Sequence, residues 1–365
     1  MRELRSYREL SAVSDEPEIL FERRGTAGFV TLNRPKTLNA VTPGMVRALA
    51  GRLEEWARDP AVTRVVISAA GERAFSAGGD IRALYELGRA GRQSDMLAFW
   101  REEYALNTRI KHYPKPYIAL IDGIVMGGGV GVSIHGSHRV AGDRFLFAMP
   151  EVGIGFFPDV GATWLLPRLP GELGAYCTLT GERLDAADGM AATIATHRVP
   201  SSRFPELRDA LCSAVSVDAL LAAFAQPAGA APIAERQGAI DRLFVGDQLE
   251  DILFALDREA AAGGAHSAFA AASAATIRKK SPTSLKLALA QMHAGKNMTF
   301  DACMRTEFRI VSRIVFGHDL YEGVRAVIVD KDNTPNWRPA TLAEVTRAEV
   351  ERYFAPLGAN ELDLP

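Results

Sequence analysis

Two acidic residues and two glycine-rich turns are the parts of this sequence whose types and spacing could do chemistry. Glu151 and Asp159 stand eight residues apart in Met149-Pro-Glu-Val-Gly-Ile-Gly-Phe-Phe-Pro-Asp159, among Met, Phe, Pro and Gly. Carboxylates in such a setting are less apt to be plain solvated surface, and they suit general-base or nucleophilic work. The stretch Met126-Gly-Gly-Gly-Val-Gly-Val-Ser-Ile-His-Gly136 places five glycines in eleven residues, directly after an apolar run over 116–125. Spacing argues against a phosphate cradle, since no Gly-Lys-Ser/Thr is present and Val132 and Ile134 occupy the places of a fingerprint's last glycine. A nucleophile elbow is equally unsupported, because Ser133 is not centred in Gly-x-Ser-x-Gly, and His135 reads as a packed helix residue rather than a base. Two readings stay open. The glycines let a helix pack closely on a sheet, or they bare backbone N–H groups at a helix start as an oxyanion hole. The second reading requires a second donor. Glu72-Arg-Ala-Phe-Ser-Ala-Gly-Gly-Asp-Ile81 offers one, as another small-residue turn ahead of another helix.

The elements that would carry these turns alternate along the chain. Strands are expected at 19–22, 27–32, 62–68, 116–125, 139–142 and 145–149, and helices over 42–59, 81–91 and 127–137, with a helical region from 161. Strand-strand-helix units of this kind predict an α/β architecture with its chemistry on loops at strand ends. Beyond about residue 200 the composition turns Ala-rich with Leu and Phe at helical spacing. Helices are read at 217–224 and 240–256, with a break at 261–265. The chain is divided as a leader over 1–17, a core over 18–205 and a helical C-terminal region over 206–365.

Composition narrows the partners. A formal net charge of −2 over 365 residues, with both signs interspersed, gives no basic face for nucleic acid or an anionic membrane. Cys177, Cys212 and Cys303 are far apart and form no Cys-x-x-Cys pair, so neither a disulfide framework nor a zinc site is indicated, and a reducing cytoplasm fits best. No apolar run approaches the roughly 18 residues of a spanning helix.

Leu32-Asn-Arg-Pro-Lys-Thr-Leu-Asn-Ala40, Ala74-Phe-Ser-Ala-Gly-Gly-Asp-Ile81 and Gly123-x-x-Met-Gly-Gly-Gly129 occur in order and at a spacing that resembles the crotonase (enoyl-CoA hydratase/isomerase) superfamily. Within it the chain is similar to the 3-hydroxyisobutyryl-CoA hydrolase subgroup from about residue 18 onward. Arg101-Glu-Glu-Tyr104, Met126-Gly-Gly-Gly-Val-Gly131, the 147–161 stretch, Ser281-Pro-Thr-Ser284 and the 317–332 stretch carry that likeness.

The resemblance implies a spiral of strand-strand-helix repeats followed by a helical C-terminal region, with the amides of Gly79 and Gly128 as oxyanion donors. Hydratases of the superfamily use two glutamates, one of them three residues after the second glycine of the Gly-Gly-Gly run. Here that position is Gly131, while the match to the second is Glu151. A lone glutamate beside a thioester carbonyl suits a base for water, or a carboxylate that attacks to form a mixed anhydride. The subgroup's pattern implies that Asp159 and Glu103 reach the acyl part of the substrate; without it, Glu103 reads as part of a solvated helix face. Arg34 and Lys36 are candidate contacts to the CoA phosphates, Lys279-Lys280 a weaker one, and Ala77 a substrate-binding position in its turn. The implied activity is hydrolysis of a short 3-hydroxyacyl-CoA, above all 3-hydroxyisobutyryl-CoA in valine catabolism. The alternatives are a hydratase or isomerase with an altered acid/base set and a non-catalytic acyl-CoA-binding subunit. No metal or separate cofactor is expected, since CoA belongs to the substrate, and a homo-oligomer through the C-terminal region is the implied mode of assembly.

Overall fold

The computed structural model describes residues 16–364, so the leader over 1–17 lies, save its last two residues, outside the described residues. β1 (Ile19–Arg24) and β2 (Ala27–Leu32) form an antiparallel hairpin. β3 (Arg64–Ala69) pairs parallel with β2. The chain then turns away into β4 (Ala74–Ser76), the first strand of a second sheet. The same step recurs from β5 (Tyr117–Ile121) to β6 (Ile124–Met126) and from β7 (His138–Ala141) to β8 (Leu146–Ala148). With β9 (His197–Arg198) closing one edge, the sheets read β1-β2-β3-β5-β7-β9 and β4-β6-β8. This is the α/β spiral that the sequence resemblance implied.

The strand expected over 116–125 is therefore two strands serving two sheets. Asp122-Gly123 forms the corner: Gly123 has φ +94°, and a Cβ there would lie 2.8 Å from the Arg73 carbonyl carbon. Continuous apolarity hid the bend, because both halves are buried.

Local rules explain the helices that follow the strands. α1 (Pro43–Arg58) begins where the Thr42 hydroxyl accepts from the Met45 amide, and it buries a stripe of Met45, Val46, Leu49, Leu53 and Trp56. α2 (Ile81–Arg89) is capped by Asp80 in the same way, through the Ala83 amide. α3 (Gln93–Lys111) has no bounds in the sequence pattern, since Glu103 and Asn107 interrupt the apolar stripe on its buried side. The helix expected over 127–137 is a single turn, α4 (Gly128–Gly131), followed by irregular buried turns. Repeated glycine makes a longer helix costly, at about 1 kcal/mol each relative to alanine.

α5 (Ala162–Leu165), α6 (Leu173–Thr180) and α7 (Ala186–Ala191) lead out of the spiral. α8 (Phe204–Leu211) and α9 (Val217–Phe224) cover the outer face of the large sheet. Leu207, Leu211, Val217, Leu221 and Phe224 there meet Phe29, Val66, Ile118 and Val140. The alternate strand residues Val30, Val65, Ile67 and Ala119 face inward, the period-two pattern of a sheet buried on both sides.

The helix expected over 240–256 is two helices, α10 (Pro232–Leu243) and α11 (Leu249–Ala261). Between them Gly246 takes φ +125°, open to glycine and strained for other residues. α12 (Ser267–Ile277) follows the break at 261–265. α13 (Pro282–Gly295), α14 (Phe300–Ile314), α15 (His318–Val324) and α16 (Arg347–Phe354) complete the chain. Met292, Met304, Phe308 and Val311 of α13 and α14 share one apolar core with the strands and with Trp100 and Tyr104 of α3. Among the described residues no helix is long and apolar enough to cross a membrane.

Candidate active site

Two short strands of the small sheet deliver the two glycine turns to one place. The turn after β4 holds Ala77-Gly78-Gly79, and the turn after β6 holds Gly127-Gly128. A Cβ on Gly128 would lie 3.1 Å from the Gly79 amide nitrogen and 2.8 Å from Glu103 Oε1. One on Gly127 would lie 3.3 Å from Gly78 Cα and 3.3 Å from Glu151 Oε1. Gly79, Gly128, Glu103 and Glu151, assigned from separate stretches of sequence, are thus brought together. Among the described residues neither the Gly79 nor the Gly128 amide donates a hydrogen bond. Two free N–H groups side by side can meet one carbonyl oxygen.

α3 supplies the next wall. Trp100, Glu103, Tyr104 and Asn107 follow the i, i+3, i+4, i+7 spacing of a single helix face, and all four are buried. Glu103 is therefore buried, not part of a solvated helix face. Glu151 opens the turn Glu151–Ile154 after Pro150 and is 7% exposed. α15 presses on that turn. A side chain at Gly155, whose φ is +70°, would run into the Asp319 carbonyl, and one at Gly323 into the Ile154 backbone. The 317–332 stretch thus acts as a brace for Glu151.

Asp159 accepts a hydrogen bond of 2.7 Å from the Tyr104 hydroxyl. Its loop is pinned on several sides. The His135 Nε2 bonds the Val160 carbonyl at 2.6 Å, so that nitrogen carries the proton; burial lowers the ring's pKa to about 4, and it packs edge-on to Phe300. His135 is a packed residue as expected, although it lies in a turn and not in a helix. Gln291 of α13 donates to the Pro158 carbonyl and to Thr163 Oγ1. Glu307 of α14 accepts from the Gly161 and Thr163 amides at 2.8 and 2.9 Å. Ser133 donates to the Gly129 carbonyl, a local bond within the turn.

Four carboxyls, Glu103, Glu151, Asp159 and Glu307, lie buried with no Lys or Arg partner among the described residues. Burial raises the pKa of each. Glu103 and Glu151 stand well above the usual carboxylate range, pushed further by the Asp159 charge. Burial lifts Asp159 to about 7 against the hydrogen bonds that favour its ionised form. It lifts Glu307 to about 8, again with Asp159 adding. Burial of this kind favours the protonated forms, and a raised pKa makes the ionised Glu151 a stronger base.

The Glu307 carboxyl also shapes stability. A carboxyl whose pKa is higher in the folded than in the unfolded chain contributes stability that is fully present below about 4.5 and is lost as pH rises through about 8. Relative to Glu307→Gln, the wild type is expected to lose stability across that window, by up to about 1.4 kcal/mol per pH unit. Chemical denaturation of both proteins at several pH values measures this, and a gap that stays constant from pH 5 to about 8 would sink the assignment.

Gly131, where the resemblance places a hydratase's first glutamate, faces no open space. A Cβ there would come within 2.6 Å of Asn107 Nδ2 and 2.9 Å of Val160 Cβ. Gly131→Glu is accordingly expected to destabilise the fold by roughly 1–3 kcal/mol through overpacking. It should not confer hydration of crotonyl-CoA. Thermal unfolding and loss of crotonyl-CoA absorbance test the two halves, and a stable variant that hydrates would contradict the geometry.

The basic residues fare differently. The Arg34 guanidinium is spent within the protein on Glu18 (3.0 Å), Asp80 (3.2 Å) and the Ala40 carbonyl (2.7 Å), latching the 33–41 loop to the start of α2. It is a positioning group rather than a free phosphate contact. Lys36 is exposed, and Ala77, half-buried, is tied by its amide to the Leu38 carbonyl. Lys279 is exposed, while the half-buried Lys280 brings its ammonium to 3.1 Å from a Cβ placed on Gly153, two residues beyond Glu151.

Trp100, Tyr104, Asn107, Gln291 and Glu307 had no role in the sequence reading. The signal for the first three was the spacing 100, 103, 104, 107. For Glu307 it was a carboxyl at the centre of an apolar stripe, Met304, Phe308 and Val311. Gln291 carried none.

The chain belongs to the enoyl-CoA hydratase/isomerase family, whose profile matches residues 27–354. More particularly, it is 45% identical over 357 residues to a zebrafish (Danio rerio) protein named 3-hydroxyisobutyryl-CoA hydrolase, mitochondrial, covering 95% of this chain and 92% of that one. The crystal structure of a carnitinyl-CoA dehydratase from Mycobacterium thermoresistibile superposes with a TM-score of 0.89 at 44% identity, over 95% of this chain and 99% of the other. That of an enoyl-CoA hydratase from Rhodobacter sphaeroides gives 0.86 at 38% identity, over 95% and 100%. These names span hydrolysis and hydration on one fold, so the side chains must decide between them.

Proposed function

We propose that the protein hydrolyses a short 3-hydroxyacyl-CoA thioester, above all 3-hydroxyisobutyryl-CoA, as a step of valine catabolism. The observation that carries this reading is the buried Glu151 beside two unspent glycine amides, with position 131, where a hydratase of the family carries its other glutamate, closed to a carboxylate. In the proposed mechanism the thioester oxygen accepts from the Gly79 and Gly128 amides. Glu151 takes a proton from water as its oxygen bonds to the carbonyl carbon. The tetrahedral intermediate collapses, the C–S bond breaks, and the thiolate of CoA regains the proton from Glu151, leaving the 3-hydroxy acid. In the nucleophilic variant a Glu151 oxygen bonds to the carbonyl carbon as the C–S bond breaks and CoA leaves as thiolate. Water then cleaves the anhydride to the 3-hydroxy acid and the Glu151 carboxylate, and its other proton goes to the thiolate. Asp159 and Glu103 orient the acyl chain, one of the two accepting from its 3-hydroxyl, and no cofactor or metal takes part.

Lys36, and more weakly the pair Lys279-Lys280, are the candidate basic groups to meet the CoA phosphates. The free cysteines fit a reducing compartment such as the cytoplasm, although the zebrafish relative's name places that protein in mitochondria. A homo-oligomer built through the C-terminal helices is the proposed assembly.

Thiol release from 3-hydroxyisobutyryl-CoA and 3-hydroxypropionyl-CoA by the purified protein tests the reading, and its absence from both would end it. The names of the solved structures favour a second reading, hydration or dehydration. Loss of crotonyl-CoA absorbance without thiol release would establish that one instead.

A further inference from the structure

Asn107 is fully buried, and neither atom of its amide has a hydrogen-bond partner. Buried amides are almost always paired, so an orphan of this kind points to a missing partner. Its place says which. α3 and the single turn α4 run side by side, with Glu103 against Gly128 and Asn107 against Gly131. Asn107 therefore lies one helical turn, about 5–6 Å, beyond the glutamate that borders the Gly128 amide. Val160, next to Asp159, closes the other side of the Gly131 position.

The hydroxyl and amide donors around it are already spent, and the Trp100 indole N–H serves Asp159. The Tyr104 hydroxyl serves Asp159, Thr108 serves the Tyr104 carbonyl, Ser133 serves Gly129, and Gln291 serves Pro158 and Thr163. The unpartnered atoms of Glu103 and Glu151 are carboxyl oxygens. An acyl hydroxyl has a proton to give and lone pairs to fill. The carboxyls take the first, and among these side chains the Asn107 N–H is the group left to supply the second.

Resting on the thioester site proposed above, we infer that Asn107 is a specificity-determining residue, whose amide donates to the oxygen of the substrate's 3-hydroxyl while Asp159 or Glu103 accepts its proton. An acyl group without the hydroxyl leaves the amide and the carboxyl both unpaired, and such a site discriminates strongly against it.

The test compares 3-hydroxypropionyl-CoA with propionyl-CoA. Kd is measured in a Glu151→Gln background, so that turnover does not intervene, and kcat/KM for thiol release is measured with Glu151 intact. Asn107→Leu, close in shape, is expected to lower the preference for the hydroxy ester by about 10- to 100-fold in both measurements. Asn107→Ala, which cannot overpack, should do the same. The melting temperature of Asn107→Leu should not fall, because an unpaired buried amide has been removed. An unchanged preference, or equal losses on both esters, would overturn the inference. If the wild type released no thiol while the Kd ratio still collapsed in both variants, Asn107 would stand and the hydrolase reading would fail.

Discussion

Glu151→Gln is expected to reduce thiol release from a 3-hydroxyacyl-CoA by roughly 10²- to 10⁴-fold, the range for loss of a positioned base, and by more if Glu151 is the nucleophile. Glutamine keeps the volume and the packing on the Glu151–Ile154 turn but cannot take a proton from water or form an anhydride. Substrate affinity should change little, because the proposed mechanism holds the CoA moiety and the 3-hydroxyl by other groups. Burial without a cation partner raises the Glu151 pKa well above the usual carboxylate range, which makes its ionised form a stronger base than an exposed carboxylate. Single-turnover hydrolysis in ¹⁸O-water tests the anhydride route: label in the Glu151 carboxyl establishes it, since direct attack by water on the thioester labels the released acid alone. A Glu151→Gln protein retaining more than about a tenth of wild-type turnover would remove Glu151 from the chemistry.

Gly128→Ala is the second large effect expected, about 10²- to 10³-fold in kcat, the cost of losing an oxyanion donor. The new methyl would stand 3.1 Å from the Gly79 nitrogen and 2.8 Å from Glu103 Oε1, where the proposed mechanism places the thioester oxygen. The tightest contact is with a carboxyl end, and the Gly79 nitrogen and Gly78 carbonyl carbon at 3.1 and 3.3 Å need yield only by a few tenths of an ångström, so the fold should survive. Since the contact forms fully as the carbonyl becomes an oxyanion, kcat should fall more than KM rises. A variant impaired only in KM, with kcat intact, would place the oxygen elsewhere.

How far these residues were legible in the sequence differs from one to the next. The two glycine turns, Glu151 and Asp159 stand in short stretches whose residue types are themselves unusual, and each can be read within a dozen positions. Strands β1 to β3 and helix α1 were equally local, since their apolar periods and the Thr42 cap suffice. The bend at Asp122-Gly123 was not, because buried strands on either side of a corner look like one apolar run. Nor was α3, whose buried face carries Glu103 and Asn107 where apolar residues would have announced it.

By itself the sequence determined the family, the order of the small-residue turns, and the absence of a side chain at position 131. Only the tertiary structure decided that Arg34 is latched to Glu18 and Asp80 and so not free for phosphate. Likewise it was folding that set Glu307, 148 residues downstream in sequence from Asp159, to hold the Asp159 loop through the Gly161 and Thr163 amides. Periodicity and turn chemistry report on neighbours within a few residues. The protonation and placement of the acidic cluster arise from burial among distant helices, which no local pattern records.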